Sequence, residues 1–340
     1  MQNLSSNWFL TLMFKVIGRI EPNILCATDF LIGDMSDINY EYLLLNKPLI
    51  LLSNPWLKAN FPDAGHRIES VGELAGVLDL IRLKDSFLNA RAKVLKEAFS
   101  VANVNSSDVA LSTILEASQM DNPRLVLHHK NNQIYKSNLM PLVKSARKLN
   151  IDVSENVINS DNNVINIGAH FRVLLDEKVA NNFCVHLDHG LKGDGTANVE
   201  ISRRDYKKNN FFPSVNLHLT AGPMGQRRTQ MLLGPMKDRA VIGAYPKATS
   251  IIEGANLDSR KEILSFYGLN PKLPVITYAP AGEKSLEKPG GSLSRDVLRE
   301  LKLFEKKKNF NVVVKLKYPY YYQRKMLSNI KQKFKNVFFG

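Results

Sequence analysis

Along the chain, short apolar runs alternate with longer stretches in which apolar residues recur every three or four positions. The short runs predict β-strands at Phe30–Ile32, Leu49–Leu52, Leu125–Leu127, Cys184–Leu187, Val215–Leu219, Val241–Gly243, Val275–Tyr278, Val312–Leu316 and Val337–Phe339. Several are apolar throughout rather than alternating, as expected of strands covered on both faces. Helical spacing predicts a helix over Leu139–Lys148. Ser70 followed by Glu73 is a capping-box pattern that opens another helix through Leu80. Ser106, Ser107 and Asp108 offer N-cap chemistry before a helix reaching Ala117. Trp8–Ile17, short and carrying Lys15, reads as an amphipathic helix packed on the body. Strands alternating with helices in this way imply βα units around parallel sheets, so the expected class is α/β.

Length and charge add to that picture. A chain of 340 residues is too long for one small core and suits two domains. No uncharged apolar run reaches the roughly 18 residues that a spanning helix needs. The opening residues lack the basic start and small-residue cleavage site of a signal peptide. The formal charge of +14 gathers late, at Lys306, Lys307, Lys308, Lys315, Lys317, Arg324, Lys325, Lys331, Lys333 and Lys335. Such an excess attracts polyanions, although a solvated helix face gives the same signature. Cys26 and Cys184 lie far apart with no His or Cys at ligand spacing, so no metal and no other cofactor is expected. A reducing compartment fits them.

In sheets of this class, ligands gather where strands end and helices begin, because helix N-termini offer unpaired N–H groups to anions. After Cys184–Leu187 come His189, Gly190 and Lys192, a titratable ring, a close-approach glycine and a charge at one strand exit. After Val215–Leu219 come Gly222, Gly225, Arg227 and Arg228. Two arginines early in a helix oppose its macrodipole, and a bound anion resolves that conflict; a solvent-facing pair near a turn is the simpler alternative. Gly243-Ala244-Tyr245-Pro246-Lys247 and Tyr278-Ala279-Pro280 are strands running into proline, each a weak signal alone. Asp34 ends another strand, Ser36 can cap the helix that follows, Glu41 lies within it, and Lys47-Pro48 leads into Leu49.

Together these segments resemble the CDP-glycerol glycerophosphotransferase family of teichoic-acid and related polymer enzymes. The resemblance rests on His189-Gly190 with Lys192, on Gly243, Tyr245 and Pro246, on Tyr278, Ala279 and Pro280, and on Asp34, Ser36, Glu41, Lys47 and Pro48. It implies a GT-B-like pair of Rossmann-like domains facing a cleft, and transfer of glycerol phosphate from CDP-glycerol to an acceptor hydroxyl. On that basis His189 is the candidate base, and Ser36 with neighbouring N–H groups holds the donor pyrophosphate. Asp34, Glu41, Tyr278 and Pro280 complete the donor side, while Gly190, Lys192, Arg227 and Arg228 serve phosphate or acceptor. Lys317 stands where the family has a second histidine, Asp37 where it has a second serine, and Ala281 where it has threonine.

The family's Asp-x-Ser-Ser segment comes last, whereas its counterpart here comes first. Residues 1–120 therefore read as the closing part of a donor domain, 121–271 as an acceptor-side domain, and 272–340 as the opening part of a donor domain, with a hinge at Asn270, Pro271 and Pro274. The chain is then either permuted or a piece spanning tandem units, and 272–340 should complete one sheet with 1–120. The resemblance places the protein in the cytoplasm, peripherally at an anionic membrane face, with a lipid-linked or polymer acceptor and no nucleic-acid partner. Two alternatives share the sequence: a nucleotide-sugar epimerase or glycosyltransferase on the same fold, and a degenerate, non-catalytic binder of polyanions.

Overall fold

The computed structural model describes residues 15–17, 24–34, 38–52, 61–131, 133–156, 163–169, 174, 182–187, 215–280 and 295–315. The chain begins with β1 (Lys15–Ile17), α1 (Ile24–Ala27), β2 (Phe30–Gly33), α2 (Ile38–Leu43), β3 (Leu49–Leu52) and β4 (His66–Ile68). Helices α3 (Leu74–Leu83), α4 (Leu88–Ala98) and α5 (Ser106–Ser118) follow. Next come β5 (Arg124–His128), α6 (Gln133–Lys148), β6 (Val153–Glu155), β7 (Val164–Gly168), β8 (Phe183–Leu187), β9 (Leu217–Thr220), α7 (Pro223–Leu233) and β10 (Ala240–Ile242). Helices α8 (Pro246–Glu253) and α9 (Leu257–Phe266) precede β11 (Val275–Ala279), α10 (Arg295–Lys308) and β12 (Asn311–Lys315).

These strands form two six-stranded sheets, ordered β1-β12-β11-β2-β3-β4 and β10-β9-β8-β7-β5-β6. Every strand pair in both is parallel. The protein is thus α/β with two parallel sheets, compatible with Rossmann-like architecture. Counted from β11 and continued at β1, the first sheet follows the doubly wound strand order of Rossmann folds. The pairing of β11 with β2 joins residues beyond 272 to residues before 120 in one sheet. The strand expected at Val337–Phe339 lies outside the described residues.

The central strands form because aliphatic runs are buried on both faces: Leu49–Leu52 and Val275–Ala279 have no exposed position. On one face of the first sheet, Ile32, Ile50, Ile276 and Val312 pack under Leu74 and Leu78 of α3 and Leu298 and Leu301 of α10. On one face of the second, Leu125, Leu127, Ile165 and Ile167 pack under Leu111 and Ile114 of α5 and Leu139 and Leu142 of α6. So α5 belongs by packing with the second sheet. Helix α9 belongs with the first, since Ile263, Leu264 and Tyr267 pack on Ile24, Cys26 and Val275. The chain therefore changes sheets before residue 120 and before residue 271. The segment read as a hinge is tied down: the Asn311 side chain donates to the Asn270 carbonyl at 2.7 Å and accepts from its N–H at 3.1 Å.

Trp8–Ile17 requires a correction. Its last residues, Lys15–Ile17, are a strand and not part of a helix, in register with Val313, Val314 and Lys315. β-branched Val16 and Ile17 meet the edge of β12, which suits a pleated strand better than a helix. The Ser70–Glu73 box is present, with Glu73 accepting from the Ser70 N–H at 2.9 Å, but it opens a 3₁₀ turn, Val71–Glu73, that runs on into α3.

Where the two sheets meet, Gly222 marks a close approach. Its backbone is extended, and a β-carbon there would lie 2.7 Å from the Ala98 carbonyl oxygen and 2.8 Å from the Phe99 nitrogen. The neighbouring Ala221 carbonyl accepts from the Ser100 N–H at 2.8 Å. This glycine is accounted for by backbone packing between α4 and the β9 exit, whether or not an anion binds nearby. Gly222→Ala must separate those backbones and is expected to cost about 1–3 kcal/mol, measured by urea unfolding, with retained far-UV circular dichroism.

Candidate functional site

In the first sheet the strand order reverses between β11 and β2, the place where open α/β sheets bind ligands beyond their carboxyl ends. Register pairs Tyr278 with Ile32 and Ala279 with Gly33, so Pro280 and Asp34 leave adjacent strands side by side. Asn39 of α2 fixes this exit by donating to the Asp34 carbonyl at 2.7 Å. Its amide oxygen lies where a β-carbon on residue 33 would be, only 1.8 Å away, so the glycine at 33 is a steric requirement. Tyr278, expected on the donor side, is fully buried in the core beside Ile32 and Leu298. Burial, reinforced by the Asp34 charge, pushes its phenol well above the ordinary range.

Glu41 of α2 points to the other sheet. Its carboxylate accepts from the Tyr245 hydroxyl at 2.8 Å and from the Lys247 ammonium at 2.6 and 2.7 Å. Tyr245 caps α8 just past the β10 exit, and its ring lies 5.7 Å from that of Phe99. Burial alone would raise the Glu41 pKa. The Lys247 charge, the hydrogen bonds from Lys247 and Tyr245, and the charge of Lys315 at the end of β12 together outweigh burial and hold it below 4.5. The Lys247 ammonium is thus paired with this carboxylate, and the charge of Lys315 acts on it from the end of β12. Lys47 is structural: its ammonium donates to the Cys26 and Thr28 carbonyls at 3.0 and 2.7 Å, fastening α1 beneath β2.

In the second sheet the order reverses between β5 and β7. The β5 exit is held by side chains: Asn156 accepts from the N–H groups of His129 and Lys130, both at 2.9 Å, and His129 bonds Glu155 at 2.8 Å. The Glu155 carboxyl is held below its usual range first by the hydrogen bond from Lys136, then by that from His129. Nearby, His128 Nε2 bonds Asn166 Oδ1 at 2.8 Å, and His186 and His218 meet through their Nδ1 atoms at 3.3 Å. Neither His186 nor His218 stands at a strand exit in a Gly-rich or basic segment, so the sequence alone does not single them out. Their signal is a histidine set between apolar residues, in Phe183–Leu187 and again between Leu217 and Leu219.

The expected site residues thus separate. Asp34 and Pro280 leave adjacent strands side by side, while Glu41, on the helix after β2, bonds Tyr245 and Lys247. Arg227 and Arg228 occupy the fifth and sixth positions of α7, past its first turn, rather than the helix start. Arg227 bonds Glu97 of α4 at 2.9 Å on the surface, which answers its charge, and Arg228 is buried. Ser36, His189, Gly190, Lys192 and Lys317 lie outside the described residues. Cys26 and Cys184 are buried free thiols, and burial pushes their pKa values up to about 11 and about 12. Among the described residues no group of three or more His, Cys, Asp or Glu is placed to hold a metal, and no helix is long and apolar enough to cross a membrane.

A search of protein-family models and of curated proteins returns no match to this chain.

The Glu41 cluster makes a pH-dependent contribution. Because its folded pKa is depressed, the stabilisation is complete above the ordinary value of 4.5 and is lost as pH falls through the folded value. Glu41→Gln should lower unfolding free energy by about 2 kcal/mol at pH 7. The gap to the unmodified chain should close progressively as pH drops below 4.5, read by urea titrations across that range.

Proposed function

We propose that this chain is a transferase of the CDP-glycerol glycerophosphotransferase type, acting at a cleft between two Rossmann-like domains in a GT-B-like arrangement. The observation that carries the reading is the pairing of β11 with β2, which sets Asp34 and Pro280 side by side at the strand reversal. Those residues come from separate segments of the family-like pattern, and Glu41, from the segment of Asp34, bonds a third, Gly243-Ala244-Tyr245-Pro246-Lys247.

In this reading the donor diphosphate lies beyond β2 and β11, held by Ser36 and adjacent N–H groups. Lys247 and Lys315 supply positive potential, and Lys317 extends it. The acceptor oxygen attacks the phosphorus that carries glycerol, the bond to the CMP oxygen breaks, and His189 takes the acceptor proton. Glu41 acts as a positioning residue, since Tyr245 and Lys247 occupy its carboxylate. Ser36, His189, Gly190, Lys192 and Lys317 enter on the resemblance alone. A lipid-linked or polymer acceptor at an anionic membrane surface accords with the basic excess.

The test is a thermal-shift comparison of CDP-glycerol with UDP-glucose, followed by an assay of CMP release. CDP-glycerol is expected to stabilise the protein, by about 2.7 kcal/mol at a hundredfold excess over its dissociation constant. UDP-glucose should not, and His189→Ala should abolish CMP release while leaving the shift. Stabilisation by the uridine donor in place of the cytidine one, or by neither, contradicts the proposal.

A further inference from the structure

Helices α3 and α10 cover the same face of the first sheet. Leu74, Leu78 and Ile81 of α3, with Leu298 and Leu301 of α10, point inward onto Ile32, Ile50, Ile276 and Val312. At roughly 100° per residue, the side of α3 turned away from the sheet carries Gly76, Asp79, Leu80 and Leu83. A helix with one face in water keeps polar residues there. Instead Leu80 and Leu83 are 58% and 85% exposed, and a β-carbon on Gly76 would meet no atom within 4 Å. On α10, Leu303 is 49% exposed on the side opposite Leu298 and Leu301.

The two helices end side by side. The Arg82 guanidinium, near the end of α3, stands 5.7 Å over the ring of Phe310, just past the end of α10. Lys84, which follows Leu83, therefore lies at the same end of this face as Lys306 and Lys307 in the last turn of α10, and all three are exposed. The acids at this end are engaged: Asp79 lies 3.5 Å from Arg82, and Glu305 is bonded by Lys302. Lys84, Lys306 and Lys307 have no ion-pair partner among the described residues. The macrodipole accounts for lysines at two helix C-termini, but not for leucines beside them.

We propose that this face docks on an anionic lipid bilayer, with Leu80, Leu83 and Leu303 entering the headgroup boundary and Lys84, Lys306 and Lys307 meeting lipid phosphates. Apolar side chains that project from a helix suit a surface that yields around them. A lysine stem can lie along that surface with its ammonium among the headgroups. The helix ends lie toward the start of β12, away from the strand exits, so docking here does not obstruct the exits of β2 and β11. The inference gives the anionic membrane surface of the proposed transferase a place on the molecule, but it stands on these side chains and not on the donor chemistry.

Cosedimentation of the full chain with vesicles tests it, comparing phosphatidylcholine alone with phosphatidylcholine containing phosphatidylglycerol. The chain should sediment with the anionic vesicles and stay in solution with the neutral ones. Leu80→Ser with Leu83→Ser changes only exposed side chains, and should weaken binding at least about tenfold with an unchanged circular dichroism spectrum. Lys306→Glu with Lys307→Glu should weaken it by a similar factor. Gly76→Trp, which fills open space on the same face, should tighten it. Absence of binding to anionic vesicles overturns the proposal, as does binding that survives either double substitution. A dimer in sedimentation equilibrium that the double serine substitution dissociates would assign the face to a second copy of the chain and also overturn it. No vesicle binding beside a normal CDP-glycerol thermal shift removes the docking face alone. Vesicle binding without that shift removes the proposed transferase alone.

Discussion

Glu41 is a carboxylate set largely out of water, and its charge is answered from the other sheet. Tyr245 and Lys247 lie 204 and 206 positions away in sequence, yet three hydrogen bonds converge on that one group. A buried carboxylate without such donors would neutralise or draw in water. This contact therefore specifies where α2 must lie, and with it the β2 exit that Asn39 locks. The rest of the arrangement is consistent with it. Leu25, Leu31, Tyr42, Leu43 and Leu49 share one apolar cluster with Ala221, Met224, Tyr245 and Ala248, so apolar burial surrounds the polar contact.

Polar groups are thus distributed unevenly. Around the first sheet's exits they are charged, with Lys247 and Lys315 about Glu41. On one face of the second sheet they are His128, Asn166, His186 and His218, in place of aliphatic residues. A low local dielectric strengthens both kinds of interaction and makes each unpartnered group costly. Structural polar groups are satisfied close at hand, as in the Thr28–Thr277 hydroxyl contact at 2.6 Å and the Ser107, Ser145 and Thr249 cluster.

The strands most legible in the sequence are those whose whole environment is apolar. Leu49–Leu52 and Val275–Ala279 are recognisable because burial on both faces leaves no polar position. His66–Ile68 and Val153–Glu155 escape recognition because they are short edge strands with polar residues, and β7 because Asn166 interrupts it. Lys15–Ile17 was misread because three residues at the end of an apolar stretch carry no period of their own. In the site, Asp34, Pro280 and Glu41 were legible from local strand-end patterns. Their contact with Tyr245 and Lys247 was not, since nothing local in the sequence specifies a partner two hundred residues distant. The Arg227 contact is illegible for the same reason: its partner, Glu97, lies on another helix.

The claim on which this account rests is that the Glu41–Lys247 contact couples the two sheets energetically. A double-mutant cycle of Glu41→Gln and Lys247→Met, followed by urea unfolding at pH 7, measures that coupling directly. The account predicts an interaction energy of about 1–3 kcal/mol. Additive losses, with coupling no greater than about 0.3 kcal/mol, would contradict it.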